Sequence, residues 1–283
     1  IFIEAGENAY PSQTIDGLST ITRSGSAVYT AATALFNRVF TVSNLPDFLA
    51  TEAETIGTSL VESLITAVSQ KSRNTATAGS LLDEITHFQT DLPTLLQTPA
   101  SFSTQVQTII QGISNVYSNP SHAYAAYKTL STFGSTLTPV VATTSTRLQQ
   151  QKNQNALVRL TRRAGLIGMA LAAAEMDFVS YDDAVVVRNE LADLLDAQLL
   201  VIGATDEDDT YNQLDNLRAD VIQDITRRAA NLERVKTVQL KAPIPSLVLA
   251  YDTYESSERE NEIVRRNSIR HPGFLPTPVQ VLV

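Results

Sequence analysis

Apolar residues recur at steps of three and four over most of this chain, and that spacing favours helices over strands. One clear run is Ile56, Leu60, Val61, Leu64, Ile65 and Val68, and another is Leu214, Leu217, Val221, Ile225 and Leu232. We therefore predict a mainly α fold of many helices, arranged in elongated helical domains. A few short strands are expected near the N-terminus at residues 1–4, at about residues 235–240 and at the C-terminus.

Interruptions of this spacing predict where individual helices begin and end. The predictions are a first helix from Ser24, a short helix at about 81–88, a loop holding Pro93 and Pro99, an N-cap at Ser101 and a long helix from about 149 through Met176. Ser180 is a further predicted N-cap, because Asp183 follows it at the spacing of a capping pair. The helix that it opens is expected to end at about Ile202.

The two halves of the chain differ in composition. Residues 1–150 hold 43 Ser or Thr and 16 charged residues, whereas residues 151–283 hold 12 Ser or Thr and 35 charged residues. Ser and Thr side chains compete for backbone hydrogen bonds, so helices rich in them must draw stability from packing. We interpret the first half as a low-charge helical region, at 23–150, suited to packing against another chain. Residues 151–283 are predicted to form a charged helical domain with C-terminal strand elements.

Charge and residue usage exclude several classes of function. The 21 Lys or Arg against 30 Asp or Glu give a formal net charge of −9, which argues against a surface that wraps DNA. The chain has no Cys and only three His, at 87, 122 and 271, so thiolate chemistry and a histidine metal cluster are excluded. No dinucleotide, P-loop or metalloprotease motif is present. We therefore predict no catalytic residue, metal site or cofactor, and a protein that is not an enzyme.

No membrane-spanning segment is predicted. The longest strongly apolar run, residues 166–174, has nine residues. That length is too short to cross a hydrocarbon core of about 30 Å. The N-terminus also lacks a basic region followed by a long apolar stretch.

Two kinds of charged cluster could mark sites. The acidic residues 206–209 could bind Ca²⁺, but residues 210–211 break the alternation of an EF-hand loop, so a helix start is favoured. Three arginine pairs lie on predicted helices, at 162–163, 227–228 and 265–266. They could contact DNA phosphates, although pairing with nearby carboxylates is the favoured interpretation. His87 and His122 are expected in surface or capping roles.

Small residues form a stripe on the long predicted helix. Ala164, Gly168 and Ala172 are four residues apart and so share one face. Small side chains at this spacing let another helix approach closely. We predict close helix packing along this stripe.

The C-terminal region carries a set of motifs. Its residues are Pro245, Leu247 and Tyr251 in P-x-L-V-L-A-Y, Glu262, Ile263, Arg266 and Asn267 in E-I-x-x-R-N, and His271, Pro272, Gly273 and Phe274 in H-P-G-F. As a set they resemble the end of the Mu-type phage DNA circularisation proteins. The opening residues 1–6 resemble the junction just after the small N-terminal domain of that family. The resemblance implies that residues 1–22 are a strand and linker from an N-terminal domain that is missing here.

The resemblance also implies a function. It predicts a virion protein, made in the host cytoplasm, that lies in the tail baseplate of a contractile-tailed phage and links the tail tube to the central hub. Its partners would be other baseplate, hub and tail-tube proteins, in a homo-oligomeric ring of six-fold or three-fold symmetry. Two alternatives stay open. One is a DNA-end-binding protein that is delivered with the genome, and the other is an unrelated helical adaptor.

Physically, these motifs suggest structural roles. Pro245 suits the first turn of a helix that Leu247, Val248 and Ala250 would bury. Asn267 is expected to close the charged helix, predicted at 258–267, in a left-handed conformation. The turn at 271–274 is expected to be anchored by Phe274.

Overall fold

Helices make up most of the protein in the computed structural model, which describes residues 16–70, 73–202 and 208–283. Within these ranges the helices are α1 (Gly17–Val39), α2 (Asp47–Val68), α3 (Thr75–Leu96), α4 (Pro99–Gly112), α5 (Pro120–Ser131), α6 (Ser145–Glu175), α7 (Tyr181–Ile202), α8 (Asp208–Ala229), α9 (Ser246–Tyr254) and α10 (Glu260–Arg266), with a 3-10 helix at Ile113–Val116. Two short strands, β1 (Val235–Val238) and β2 (Val279–Leu282), pair antiparallel. The predicted mainly α class is confirmed, as are its two later strands, while the strand predicted at residues 1–4 lies outside the described residues.

The chain divides into two compact units. Unit 1 takes in the described residues up to Met176 together with Leu191–Asp224. Unit 2 consists of Asp177–Glu190 and Ile225–Val283. The helices α7 and α8 each contribute residues to both units. The change of composition near residue 150 falls inside α6, in unit 1.

Unit 1 is built around α6. Its segment from Ala156 to Ala173 is buried on nearly every face, with α1 and α5 packed along it. Near α6, Phe36 of α1 stacks on Phe40 and Phe102, with ring centroids 4.9 and 5.5 Å apart. Offset stacking of this kind stabilises a core beyond the burial of the rings. The apolar faces predicted from the three- and four-residue spacing therefore pack on one another inside this unit.

The abundant Ser and Thr hydroxyl groups are bonded within their own helices. In α1 and α2 they donate to the carbonyl four residues earlier at 2.7–3.3 Å, as seen for Thr20, Thr22, Ser26, Thr30, Thr51, Thr55, Ser59 and Ser63. Such local bonds satisfy the hydroxyl group without a tertiary partner. Packing against another chain is therefore not required to satisfy these groups, and it remains a prediction.

Several predicted helix boundaries are wrong. The first helix begins at Gly17, with the Asp16 carboxylate accepting from the N–H of Leu18, rather than at Ser24. The predicted short helix at 81–88 is part of the much longer α3, which holds Pro93 in its interior. Sequence reasoning overrates proline as a helix breaker here, because burial of the flanking Leu92 and Leu96 extends the helix past it.

The next two helices differ from the prediction in smaller ways. The N-cap of α4 is Thr98, so Pro99 occupies the first turn and Ser101 lies within the helix. The long helix α6 begins at Ser145, before the predicted start near residue 149, and ends at Glu175. The capping pair at the start of α7 is confirmed, because the N–H of Asp183 donates to Ser180 Oγ at 3.1 Å and that hydroxyl donates back to Asp183 Oδ2 at 2.6 Å.

Unit 2 packs α9, α10 and the β1–β2 pair around its own small core. The core residues are Leu249, Ala250, Ile263, Leu275, Val279 and Val281. The strand pair places Val235 opposite Leu282 and Val238 opposite Val279. No helix in the described part of the chain is both long and apolar enough to cross a membrane.

Candidate functional site

The C-terminal motif residues meet in unit 2, where the start of α9 is tied to the turn at 271–274. The N–H of Ser246 donates to the carbonyl of Pro272 at 2.7 Å, and Ser246 Oγ donates to Glu260 Oε1 at 2.5 Å. The N–H of Phe274 closes the turn on the carbonyl of His271 at 3.0 Å. Three separate stretches of sequence therefore meet at the first residue of α9.

Asn267 fastens α10 to the outer edge of β2. Its side-chain amide donates to the carbonyl oxygens of Ile263 and Gln280, both at 2.8 Å. Its Oδ1 accepts from the N–H of Gln280 at 2.8 Å. An unpaired strand edge invites pairing with other chains, and Asn267 occupies this one. The predicted left-handed conformation of Asn267 is wrong, because its φ is −95° and the positive φ of 51° belongs to Ser268.

Arg266 is the most enclosed charged member of the motif, with its side chain 11% exposed. Its Nε lies 2.5 Å from Glu262 Oε1, and a second guanidinium nitrogen lies 3.7 Å from Asp183 Oδ2. Because two carboxylates compensate its charge, Arg266 can be held in this poorly hydrated position. The contact between Arg266 and Asp183 joins α10 to the first turn of α7.

A second ion pair stabilises the other side of unit 2. Arg259 forms a two-pronged contact with Glu233, and its guanidinium carbon lies 4.1 Å from the ring centroid of Tyr254. The hydrogen bonds from Arg259 lower the pKa of the Glu233 carboxyl group below its usual value. The Tyr254 hydroxyl group accepts from the N–H of Leu282 at 2.9 Å, which covers another part of the β2 edge.

The sequence suggested that the apolar motif residues are buried, but several of them are exposed. Leu247 and Val248 are exposed, Tyr251 is 64% exposed and Phe274 is 75% exposed. The core positions are taken by their neighbours Leu249, Ala250 and Leu275. The anchoring role predicted for Phe274 is therefore wrong, since the N–H of Leu275 bonds to the carbonyl of Ile244 and draws that residue inward instead. Pro245 precedes the first helical residue as its N-cap, rather than lying in the first turn.

We name the exposed apolar side chains of α9 and of the turn at 271–274 the α9 patch. Its members are Leu247, Val248, Tyr251 and Phe274. The first three share one helix face by their spacing. The turn that carries Phe274 is tied to the start of the same helix through Ser246.

In unit 1 the small-residue stripe lies where α6 meets α1 and α5. A Cβ on Gly168 would stand 2.3 Å from the ring of Tyr127, and one on Gly165 would stand 2.9 Å from the backbone nitrogen of Ser131. Ala164 is buried, and its carbonyl accepts from the Tyr29 hydroxyl group at 3.4 Å. Ala172 is buried in the last turns of the helix. Gly165 was not part of the predicted stripe, although α5 approaches closely there too.

The arginine pairs are engaged within the protein. Arg162 Nε donates to the carbonyl of Phe133 at 2.6 Å, and Arg163 is only 1% exposed. Arg228 lies over the ring of Phe178 at 5.0 Å, and Arg265 Nε donates to the carbonyl of Asn261 at 3.3 Å. Binding to DNA phosphates requires accessible guanidinium groups, and these contacts engage several of them within the protein.

Half of the acidic cluster at 206–209 lies in the described ranges. Asp208 and Asp209 lie in the first turn of α8, as the helix-start interpretation predicts, while residues 206 and 207 lie outside the described residues. Asp182 accepts from the N–H of Val235 at 2.7 Å. No group of three or more potential ligand side chains that could hold a metal ion occurs among the described residues.

The sequence matches no protein-family model, and no curated protein matches it significantly.

Sequence reasoning missed the partners that connect these elements. Ser246 and Glu260 are 14 residues apart, and Tyr254 and Leu282 are 28 apart. Neither spacing follows the period of a helix or a strand, so no local signal pointed to them. The contact between Asn267 and Gln280 likewise joins residues at a spacing that no helix or strand period predicts.

Proposed function

We propose that this protein is a structural component of a contractile phage tail baseplate, which links the tail tube to the central hub and takes part in genome delivery. The set of C-terminal motifs, from Pro245 to Phe274, carries this proposal. The motifs resemble the Mu-type phage DNA circularisation proteins as a set. The partners would be other baseplate, hub and tail-tube proteins, and the location would be the virion.

The contacts made by the motif residues support a structural role rather than a catalytic one. The polar groups of Ser246, Arg266 and Asn267 form hydrogen bonds and ion pairs that hold α9, α10 and β2 together. The motif also contributes the α9 patch, which is apolar and exposed. A stable framework that presents apolar side chains at its surface is suited to contact with another protein.

We also propose that the protein acts as a homo-oligomer in a six-fold or three-fold ring around the tail axis. Closed symmetric rings are the usual form of repeated self-association. The hydroxyl-rich helices between residues 23 and 150 carry few charges, so copies that meet through them would do so with little repulsion.

DNA-end binding receives less support from the described contacts. Arg162 contacts a carbonyl group, Arg228 an aromatic ring and Arg266 two carboxylates, while Arg163 is buried. The net charge of −9 opposes approach to a phosphate backbone.

Electron microscopy of purified particles tests the proposal. An epitope tag on the C-terminus of the full chain would be located with antibody fragments on intact tails, with a tagged tube protein as the matched control. We expect label at the tail tip, in three or six copies around the axis. If the protein is absent from purified tails, or if the label lies along the tube or at the head, the proposal is wrong.

A further inference from the structure

The two-stranded sheet of unit 2 has two outer edges, and the hydrogen-bond ladder shows which backbone groups each edge presents. Next to the β1–β2 pairing, Arg234 and Val283 exchange both of their backbone hydrogen bonds, at 2.8 and 2.9 Å. Bonded and non-bonded pairs alternate along an antiparallel ladder. The N–H and carbonyl groups of Val235 and Thr237 therefore point away from β2, to the outer edge of β1.

The outer edge of β2 is closed by side chains. Asn267 accepts from the N–H of Gln280 and donates to its carbonyl oxygen, both at 2.8 Å. The hydroxyl group of Tyr254 accepts from the N–H of Leu282 at 2.9 Å. Another strand cannot pair with this edge unless these contacts break first.

The outer edge of β1 is closed at one position only. The N–H of Val235 donates to a carboxylate oxygen of Asp182 at 2.7 Å. Among the described residues, none bonds to the outward N–H or carbonyl group of the next such residue, Thr237. Lys236 and Thr237 are both exposed. An exposed stretch of strand with these groups available can accept a further strand.

The charge beside this edge selects the kind of strand that can pair with it. Arg234, Lys236 and Lys241 are all exposed. Two copies of β1 side by side would bring these cations together, and like charges on adjacent strands are destabilising. The edge is therefore poorly suited to pairing with a second β1 and well suited to an acidic strand.

The chain itself contains an acidic segment with strand character. Residues 1–4, Ile-Phe-Ile-Glu, are predicted from the sequence to form a strand, and they lie outside the described residues. Residues 1–15 include Glu4 and Glu7 and no Lys or Arg. A strand needs a neighbour to satisfy its backbone groups, and the edge at Thr237 offers one.

We propose that residues 1–4 of one copy add as an antiparallel strand to the outer edge of β1 in a neighbouring copy, with Ile3 opposite Thr237. Such a contact joins two different surfaces, so it is head-to-tail and closes into a ring when repeated. The inference rests on the proposed homo-oligomer and names the surfaces through which its copies meet. It uses no residue of the α9 patch.

The side chains on both strands favour this orientation and register. Antiparallel pairing places Glu4 opposite Lys236, which joins opposite charges. It also places Phe2 opposite Val238, which is partly buried against the core of unit 2. A parallel strand at the same position would set the Glu4 carboxylate beside Val238 and leave Lys236 opposite an aromatic ring.

Disulfide cross-linking of the full chain tests the contact. The sequence has no Cys, so the introduced thiols have no competitors. Ile3→Cys with Thr237→Cys should give covalent dimers and larger species on oxidation, because Cα atoms of a bonded strand pair are about 5.5 Å apart, within the range that a disulfide spans. The matched control is Ile3→Cys with Gln280→Cys. Gln280 is paired with Thr237, but it lies one strand further away, about 10 Å from the added strand and too far for a disulfide.

Two results would overturn the contact. One is equal cross-linking in the two double variants, and the other is a disulfide that forms only within single chains. Mass photometry of the unmodified chain separates this failure from that of the homo-oligomer. If the chain is oligomeric and the yields are equal, the strand contact alone is wrong. If the chain is monomeric and gives no cross-linked species, both proposals are wrong.

Reversing the charges tests the register. Within the Ile3→Cys, Thr237→Cys background, Lys236→Glu or Glu4→Lys places like charges opposite each other and should slow cross-linking about threefold at low salt. The two reversals together restore opposite charges and should restore the original rate. Unchanged rates in both single reversals would show that Glu4 does not lie opposite Lys236 and would overturn the proposed register.

Discussion

Gly168 of α6 lies directly against the aromatic ring of Tyr127 in α5. A Cβ built on Gly168 would stand 2.3 Å from Tyr127 Cδ1 and 2.4 Å from Cε1, well inside van der Waals contact. Tyr127 is only 3% exposed, and its hydroxyl group is bonded to Ser114. The close approach of these two helices therefore depends on a position without a side chain.

Gly168→Ala should destabilise the protein. The extra methyl group overpacks the α5–α6 contact, at a cost of about 1–3 kcal/mol, and this exceeds the helix-propensity gain of about 1 kcal/mol. The matched control is Gly79→Ala in α3, where a Cβ would meet nothing within 4 Å, so propensity alone should act and stabilise the protein. Urea unfolding followed by circular dichroism gives both changes in free energy. Equal stabilisation by the two substitutions would contradict the close contact.

Asn267→Ala should loosen the edge of β2. The change removes three hydrogen bonds, two of them to Gln280, and should lower the stability of unit 2 by about 2 kcal/mol. Hydrogen exchange at the Gln280 amide is the direct measurement, since that N–H donates to Asn267 and should exchange faster in the variant. Asn261→Ala, on the exposed surface of α10, is the control and should leave the Gln280 rate unchanged. Unchanged exchange in Asn267→Ala would show that another group protects this amide.

The periodicity of the sequence predicted the helical class and the existence of most helices, because amphipathic spacing reflects which side chains are buried. It could not predict which of two adjacent apolar residues is buried at an irregular turn. Phe274 and Leu275 are both apolar, but only Leu275, whose N–H is bonded to Ile244, is buried.

The candidate sites were predictable only in part, for a related reason. The small-residue stripe identified one side of the Gly168–Tyr127 contact, whereas its partner lies 41 positions away in the chain. Side chains that meet through tertiary packing leave no fixed spacing in the sequence.

Stability should fall between about pH 10 and pH 12. Burial raises the pKa of Tyr127 to about 12, and burial likewise raises the pKa of Tyr29. Above pH 10 the unfolded chain loses these protons while the folded chain keeps them, so rising pH favours unfolding. For Tyr127 alone, the pKa differs by about two units between the folded and the unfolded chain. This difference corresponds to a loss of about 3 kcal/mol in the free energy of unfolding once the pH exceeds both pKa values.

Urea unfolding of the unmodified chain and of Tyr127→Phe, each at pH 7 and pH 11, measures this dependence. The phenylalanine variant has no proton to lose at this position, so its stability should decline less between the two pH values. Comparison of the two declines cancels the cost of the lost hydroxyl bond, which acts at both pH values. Equal declines would show that Tyr127 ionises as readily in the folded protein as in the unfolded chain.

The α9 patch should contribute to self-association, if the proposed homo-oligomer is correct. The double variant Leu247→Ser with Tyr251→Ser removes apolar surface that contributes nothing to the core of unit 2, so the fold should persist while assembly weakens. The matched control is Val179→Ser with Val186→Ser, because both valines are exposed in the same unit, at 61% and 67%. Mass photometry across a concentration series should show a shift to smaller species for the first pair alone. An equal distribution of species in the two double variants would mean that the patch does not mediate the contact between copies.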